Sequence, residues 1–287
     1  MDLGLTDRVF VVTAASGGLG RATADQLVAE GARVVLVARR EQPLADAVAA
    51  LGADRAVALA ADLAEPDAAA RAAALALETW GRLDGALVSV GGPPKGSVLG
   101  TTDDTYRAAF DSVVVGALRA ARAVVDAAPG PVALAFVLST SVKEPLADMA
   151  LSNVTRPGLA VLIRQLADEF ADSGSRAVGL MPGTIQTDRI NWLAGQSPDP
   201  DAALAALDSA SPMNRVGQPV EFGRVAATDA VSDVYAMGGR PILALALVGM
   251  PIAVLSRATI GRILEGGAAA CAAAGIPIAG GHTIDSV

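Results

Sequence analysis

The feature that most constrains the fold is the segment 8–40, which reads as strand, glycine-rich turn, helix and strand. A short β-branched run at 9–12 precedes a turn of small residues at 13–20. Apolar residues then recur at helical spacing until Gly31 stops the helix. In a parallel βαβ unit, backbone N–H groups at the start of such a helix face a pyrophosphate, and glycines let it approach. The segment therefore predicts a dinucleotide site.

Composition narrows the class of protein. A chain of 287 residues holds one large α/β domain, or a domain with an appendage. With 52% hydrophobic and only 3% aromatic residues, the core must be built from Ala, Val and Leu. The net charge of −8 argues against a nucleic-acid groove or an anionic membrane surface as partner. The single cysteine, Cys271, is typical of a buried small residue in a reducing compartment. The N-terminus lacks the pattern of a signal peptide, and the apolar run 241–255 is too short to span a bilayer, so we expect a soluble cytoplasmic protein.

Predicted strands alternate with predicted helices along most of the chain. The strands are expected at 33–38, 56–61, 86–90, 132–138 and 177–181, and the helices at 41–51, 66–80, 103–128, 152–171 and 219–237. This alternation predicts an α/β fold with a doubly wound, mostly parallel, Rossmann-like sheet. The loose stretch 190–216 contains three prolines, and it is either a lid over the ligand or a plain connecting loop.

Residues 1–227 carry motifs that resemble the short-chain dehydrogenase/reductase family. The Thr-Gly-x-x-x-Gly-x-Gly turn of that family is present with Ala14 in the first glycine place, and residues 88–91 stand where Asn-Asn-Ala-Gly is usual. Asp62 matches the carboxylate near the adenine, and Pro182-Gly183 matches the segment beside the nicotinamide. The resemblance implies a small-molecule substrate and these cofactor-binding residues: Thr13, Ser16, Gly18, Leu19, Gly20, Arg39, Arg40, Asp62, Leu63, Gly91, Arg156, Pro182, Gly183 and Thr187.

The end of the second strand indicates which cofactor is preferred. Members of the family that use NAD carry an acidic residue there, whereas this chain has Ala38 followed by Arg39 and Arg40. A carboxylate would repel a 2′-phosphate, and a guanidinium binds it bidentately. We therefore expect NADP in preference to NAD; the alternative is that both arginines are merely solvated charges at a strand end.

The family's catalytic residues are largely replaced. It uses a Tyr as proton donor, a Lys four residues later, a Ser about thirteen residues before the Tyr and an Asn on the preceding helix. Alignment of the helix that begins near Leu151 places Ser152 at the Tyr, Arg156 at the Lys and Ser139 at the Ser. The Asn position is Val113. The resemblance thus makes Ser139, Ser152 and Arg156 the candidate catalytic residues.

Two interpretations of this altered site remain open. A serine hydroxyl has a pKa far above the roughly 10 of tyrosine and is a poor general acid. The first interpretation is an oxidoreductase with a rearranged relay of Ser139, Ser152 or Lys143 and water. The second is a pseudoenzyme that binds nucleotide without turnover and has a structural or sensing role. The pair Lys143-Glu144 is otherwise typical of a solvated loop.

Residues 228–287 carry the motifs of a different family. SDVYAMGGRP at 232–241 and GGHTID at 280–285 resemble selenophosphate synthetase (selenide, water dikinase), over about 60 residues. That family uses the aspartate matching Asp233 to hold Mg²⁺ and ATP phosphates. A single carboxylate rarely holds Mg²⁺ without partners, so we expect no metal site and no independent kinase activity. The only histidine, His282, is expected to be an exposed structural residue.

The junction between the two segments has a simple physical interpretation. Residues 219–237 supply the last helix of the dehydrogenase unit, and 241–248 supply its missing edge strand, where a first-position proline is tolerated. The helix at 259–274 and the residues 276–278 then form an appendage on the sheet edge or in an oligomer interface. The family resemblance also implies a homodimer or homotetramer, formed through the helices that begin near Asp103 and Ser152.

Overall fold

The computed structural model describes residues 3–211, 214–229, 244–250 and 278–285. The chain divides into two compact units, Asp2–Ala230 and Val231–Val287. No helix among the described residues is both long enough and apolar enough to cross a membrane.

The first unit alternates strands and helices. Its strands are β1 (Val9–Thr13), β2 (Arg33–Ala38), β3 (Ala56–Ala60), β4 (Gly85–Val88), β5 (Ala133–Val137) and β6 (Arg176–Leu180). Its helices are α1 (Gly18–Ala29), α2 (Glu41–Leu51), α3 (Ala68–Trp80), α4 (Asp103–Phe110), α5 (Gly116–Ala127), α6 (Ala150–Glu169), α7 (Asp188–Ala194), α8 (Pro200–Ala210) and α9 (Pro219–Asp229).

These strands form one parallel sheet in the order β3-β2-β1-β4-β5-β6. The predicted α/β, doubly wound, Rossmann-like fold is therefore confirmed. The order reverses between β1 and β4, where Val12 lies between Leu36 on one side and Leu87 on the other. In such sheets a ligand binds beyond the carboxyl ends of the strands at this reversal.

Small aliphatic residues fill the core, as the composition predicts. All five residues of β1 and all five of β5 are buried, because helices cover both faces of a parallel sheet. The helices α3 and α5 pack together through alanines, among them Ala72, Ala76, Ala117 and Ala121. On the other face α9 lies against α1, and a Cβ on Gly223 would come within 2.4 Å of the Ala22 carbonyl oxygen. Glycine at 223 is what permits this close approach.

The long amphipathic stretch predicted at 103–128 is helical from Asp103 to Ala127, but the type of helix changes in its middle. Between α4 and α5, residues Asp111–Val115 make a single π-turn. Turns of this kind are rare and frequently occur at functional sites. The helix predicted at 152–171 is α6, which runs through Pro157 although proline cannot donate the hydrogen bond to the carbonyl of Asn153.

The strand predicted at 241–248 does not extend the main sheet. It is β7 (Ala244–Met250), and it pairs in parallel with β8 (Ile278–Asp285) in a separate two-stranded sheet. The prediction of a shared last strand is wrong because the identity of the pairing partner depends on chain far away in sequence. The predicted helix at 259–274, residues 230–237, Asp233 and Cys271 lie outside the described residues. His282 lies in β8, opposite Leu247.

Candidate functional site

The turn after β1 is shaped by its small residues. Ala14 and Gly18 both adopt left-handed backbone conformations, with φ of +52° and +54°. A Cβ on Gly20 would lie 2.6 Å from the carbonyl oxygen of Ala14 and 2.7 Å from that of Thr13. Only glycine at position 20 therefore allows α1 to start so close to the end of β1. No side chain caps the start of α1, so its first N–H groups are available to an anion.

Thr13 connects the ends of the two central strands. Its buried hydroxyl donates to the Ser89 carbonyl oxygen at 2.6 Å and accepts from the Ser89 N–H at 2.8 Å. Thr13 thereby positions the loop after β4, which contains the exposed Gly91. Because the Thr13 side chain is buried, it acts by holding this loop in place and not by direct contact with solvent.

The loops after β1, β2 and β3 meet at one group of polar side chains. The side chain of Arg39 is 78% exposed, and its guanidinium lies 3.9 Å from the Asp62 carboxylate. Arg40 donates to the Ser16 hydroxyl at 3.4 Å. Asp62 accepts from the N–H of Ala64 at 3.0 Å, and the neighbouring Leu63 is half-buried. Two exposed guanidinium groups beside a hydroxyl form a place where a phosphate monoester can bind.

Three serines lie at the end of β5 and the start of α6. Ser139 is half-buried, and its hydroxyl oxygen accepts from the N–H of Ser141 at 3.2 Å. Ser152 is buried, with its hydroxyl 3.0 Å from that of Ser141. Counting residues back from Ser152 identified Ser139 and missed Ser141, because the 3-10 turn Thr140–Val142 brings the later serine back towards α6. The two buried hydroxyls satisfy each other.

Arg156 lies in the interior between the ends of β4 and β5. The residue is 4% exposed, and its guanidinium donates to the carbonyl oxygens of Val137 and Val90. No carboxylate among the described residues forms an ion pair with it. Burial lowers the pKa of Arg156 from its ordinary value to about 10, so the group remains a cation at neutral pH. Arg156 thus links the loop that contains Gly91 to the strand that precedes Ser139.

The remaining catalytic position contributes no polar group. Val113 is 1% exposed and lies in the π-turn, facing the core. Asn153, next to Ser152, is engaged by the preceding loop, where its amide bonds both the N–H and the carbonyl of Leu146. The side chains of Lys143 and Glu144 are exposed and make no ion pair within the part of the chain that is described.

The segment after β6 folds over this edge of the sheet. Pro182 is half-buried and Gly183 is exposed. The stretch 190–216 contains most of α7 and all of α8, and a bridge between Ile185 and Gly217 joins the residues on either side of it. The Thr187 side chain lies against the glycine turn, 3.6 Å from where a Cβ of Gly18 would be.

Two residues of this segment were not identified from the sequence. The guanidinium of Arg189 donates to the Pro93 carbonyl oxygen at 2.6 Å and lies 4.8 Å from the ring centre of Trp192. An arginine and a tryptophan three residues apart on a helix are a pairing signal, but the helix α7, with 7 residues, is too short to show a periodicity. The pair sits over the loop after β4.

Among the residues that the structure describes, no group of three or more His, Cys, Asp or Glu side chains is arranged to hold a metal ion.

Comparison with protein families gives two matches. The model described as Enoyl-(Acyl carrier protein) reductase matches residues 13–238, which is more than three quarters of the chain. The model described as AIR synthase related protein, N-terminal domain, matches residues 197–287. The two matches share residues 197–238, which include α8 and α9.

Solved structures resemble the first unit. L-sorbose reductase from Gluconobacter frateurii, complexed with NADPH and L-sorbose, is 26% identical with a TM-score of 0.75, over 80% of this chain and 92% of that chain. The short-chain dehydrogenase/reductase glucose/ribitol dehydrogenase from Brucella melitensis is 24% identical with a TM-score of 0.74, over the same shares. The actinorhodin polyketide ketoreductase with NADPH is 21% identical with a TM-score of 0.76 over 80% of this chain and 92% of that chain; the last two likenesses show the fold alone.

The C-terminal part is similar to selenide, water dikinases. The protein from Rhizobium meliloti is 61% identical over 92 residues, which are 32% of this chain and 26% of that protein. The protein from Burkholderia pseudomallei is 63% identical over 89 residues, 31% of this chain and 25% of that protein. The chain thus spans about a quarter of the length of these relatives. The similarity is longer than the roughly 60 residues predicted, since the family match begins at residue 197 and includes both α8 and α9.

Proposed function

The chain belongs to the short-chain dehydrogenase/reductase family, and we propose that this oxidoreductase uses NADP to interconvert a small carbonyl compound and an alcohol. The domain boundary near residue 227 is part of the proposal: residues 1–227 bind the nucleotide, and 228–287 form the unit similar to selenide, water dikinase. The observation that carries the cofactor preference is the group formed by Arg39, Arg40 and Ser16.

The residues present fit a dinucleotide. The N–H groups at the uncapped start of α1, with Gly18, Leu19 and Gly20, would donate to the pyrophosphate, and Gly20 keeps that helix against β1. Arg39 and Arg40 would donate hydrogen bonds to the 2′-phosphate. The other residues that we assign to cofactor binding are Thr13, Ser16, Asp62, Leu63, Gly91, Arg156, Pro182, Gly183 and Thr187. When bound, NADPH supplies the hydride.

The chain's own chemistry rests on Ser139. Because the Ser139 oxygen already accepts the Ser141 N–H, its O–H is left to donate to the substrate's carbonyl oxygen. Ser152 supports this arrangement through Ser141 and reaches the substrate only by way of water. Arg156 contributes a positive charge that favours negative charge developing on the substrate oxygen, while it holds the adjacent strand ends.

A second candidate function is nucleotide binding without turnover. Its support is specific: Ser152 is buried against Ser141, and Val113 brings no polar group to the site. Without a group whose pKa suits proton transfer at neutral pH, hydride transfer is slowed even if the cofactor is bound correctly.

Cofactor preference is tested with Arg39→Ala/Arg40→Ala and the charge-control variant Arg33→Ala/Arg55→Ala at the opposite edge of the sheet. Each lost charge-assisted hydrogen bond is worth about 1.5–3 kcal/mol, so we expect the first variant, which loses two, to bind NADPH about 100-fold more weakly or worse. The affinity of the first variant for NADH should change by less than about twofold, and so should the affinity of the control variant for NADPH. Tighter binding of NADH than of NADPH by the wild-type protein would reject the assignment.

Turnover is tested by NADPH oxidation with a panel of ketones and aldehydes. Activity that falls on Ser139→Ala but survives Lys143→Ala supports the oxidoreductase. Cofactor binding with no turnover by the wild type, together with activity in Ser152→Tyr/Arg156→Lys, supports the second function. The two outcomes separate binding from chemistry.

We also propose that the protein forms a homodimer or homotetramer through α4 and α6. Phe110, Val154 and Val161 are 53%, 57% and 69% exposed on these helices, which lie side by side. Replacing Val154 and Val161 with Asp should yield monomers by light scattering, whereas Val98→Asp, on a loop, should not. A wild-type monomer at micromolar concentration would reject the proposal.

A further inference from the structure

Arg189 combines a partly buried cation with unused hydrogen-bonding capacity. A guanidinium has five N–H donors, and within the described residues Arg189 uses one of them, which donates to the Pro93 carbonyl oxygen at 2.6 Å. Within the described residues it has no carboxylate partner, whereas Arg21, Arg71 and Arg215 each have one within 2.6 Å. Burial lowers the pKa of Arg189 from its ordinary value, and no acidic side chain offsets that effect.

The surroundings hold this guanidinium in a defined orientation. The ring of Trp192 lies beneath it at 4.8 Å, within the range of a cation–π interaction. A Cβ on Gly92 would lie 3.1 Å from the Nε of Arg189, so the glycine allows the guanidinium to lie close to the loop. A cation held in this way, with donors left over, is suited to bind an anion bidentately.

The position of Arg189 relates it to the substrate rather than to the adenine end of the cofactor. Thr187, two residues earlier, lies against the glycine turn, and Pro93 belongs to the loop after β4. Arg156 contacts the same loop at the Val90 carbonyl, just below the serine group. The adenine end is served by Arg39 and Arg40, after β2. Arg189 therefore contacts the loop after β4, and β4 pairs in parallel with β5, the strand that precedes Ser139.

We propose that Arg189, supported by Trp192, binds an anionic group of the substrate, so that the preferred substrates are carbonyl compounds with a carboxylate or a phosphate. The inference rests on the proposed oxidoreductase function and specifies its substrate class. In a protein of net charge −8, a local cation is needed to bring an anion to the site.

The test compares matched ligands that differ in charge. Binding of acetoacetate and methyl acetoacetate to the NADPH-loaded protein is measured by calorimetry, and turnover of both is followed by NADPH oxidation. Glyceraldehyde and glyceraldehyde 3-phosphate form a second pair, which separates a carboxylate-binding site from a phosphate-binding site. The test variants are Arg189→Gln and Gly92→Ala. The charge-matched control is Arg33→Gln, at the amino end of β2, away from the carboxyl ends of the strands.

We expect at least one anion to be preferred over its neutral partner by about 10- to 100-fold in the wild type, the range of a charge-assisted hydrogen-bonded pair. Arg189→Gln should bring that ratio close to one, and Gly92→Ala should reduce it by displacing the guanidinium. Arg33→Gln should leave it unchanged.

Other outcomes overturn the inference. Equal binding of charged and neutral partners, or binding of neither, rejects the anionic subsite. A loss of NADPH affinity in Arg189→Gln with an unchanged ligand ratio assigns Arg189 to the cofactor instead. Because binding is measured separately from turnover, an anion preference without hydride transfer rejects the oxidoreductase function but retains the anion site.

Discussion

Ala14 and Gly20 both shape the turn after β1, and glycine should be the more stabilising residue at both positions. Ala14→Gly should therefore raise the free energy of unfolding, and Gly20→Ala should lower it. Ala14 stands where the family has its first glycine, and its φ of +52° is left-handed. Gly20 has no room for a side chain, since a Cβ would lie 2.6 Å from the Ala14 carbonyl oxygen. The paired variants are therefore Ala14→Gly and Gly20→Ala.

The magnitudes follow from backbone strain and from crowding. A left-handed alanine costs roughly 1–2 kcal/mol, which the substitution by glycine removes. The greater freedom of glycine in the unfolded chain offsets about 0.5–1 kcal/mol of that gain in stability. Ala14→Gly should thus stabilise the first unit by about 0.5–1 kcal/mol. Gly20→Ala forces backbone to move, so it should cost about 1–3 kcal/mol. It should also weaken NADPH binding, because the start of α1 shifts.

The assay is urea unfolding at neutral pH, with NADPH titration of the same samples. The free energies of unfolding are compared at equal denaturant slope, so that a change in the midpoint reports stability. Destabilisation by Ala14→Gly, or no loss on Gly20→Ala, would show that the turn does not constrain these residues as described. The Gly130→Ala exchange is the control, because nothing lies within 4 Å of its Cβ position.

Three further perturbations test other parts of the first unit. Burial alone would raise the pKa of Asp84, but hydrogen bonds from Arg82, the Val9 N–H and Arg8 outweigh it and lower that pKa below 3.8. Asp84→Asn should therefore cost about 2–3 kcal/mol of unfolding free energy at pH 7. In urea melts this difference from wild type should shrink as the pH falls below about 4, through the pKa of Asp84 in the folded protein. A difference that does not depend on pH would contradict this. Thr13→Val should cost about 1–3 kcal/mol by leaving both backbone groups of Ser89 unpaired, which Thr13→Ser should largely restore. A chain ending at residue 230 should keep its circular dichroism spectrum and its NADPH affinity, since β7 pairs with β8; aggregation of this truncation would instead indicate that the sheet needs the second unit.

Local patterns predicted much of this fold. The run of buried strands and the Gly31 helix stop depend on neighbours a few residues apart, and they lie where the sequence indicates. The π-turn at Asp111–Val115 was not predicted, because its extra residue is accommodated by packing against α6 and leaves no periodic signal. The pairing of β7 with β8 was missed for a related reason: hydrogen bonding between strands is decided by contacts far apart in the chain.

The candidate site divides in the same way. Glycine spacing and the arginines after β2 identified the cofactor side, where each loop follows directly from its strand. The proximity of Ser141 to Ser152 depends on a turn and a helix meeting in space, and the contact of Arg189 with Pro93 joins residues 96 positions apart. Neither contact has a motif in sequence.

The packing of α9 on α1 has a consequence for synthesis of the chain on the ribosome. The start of α9 at Pro219 lies 190 positions after the end of α1 at Ala29. At about 5–20 residues per second, roughly 10–40 s pass before α9 emerges to cover the surface around Ala22. The cofactor helix is thus completed early and covered late, while residues 231–287 leave the ribosome only after every strand of the six-stranded sheet has been made.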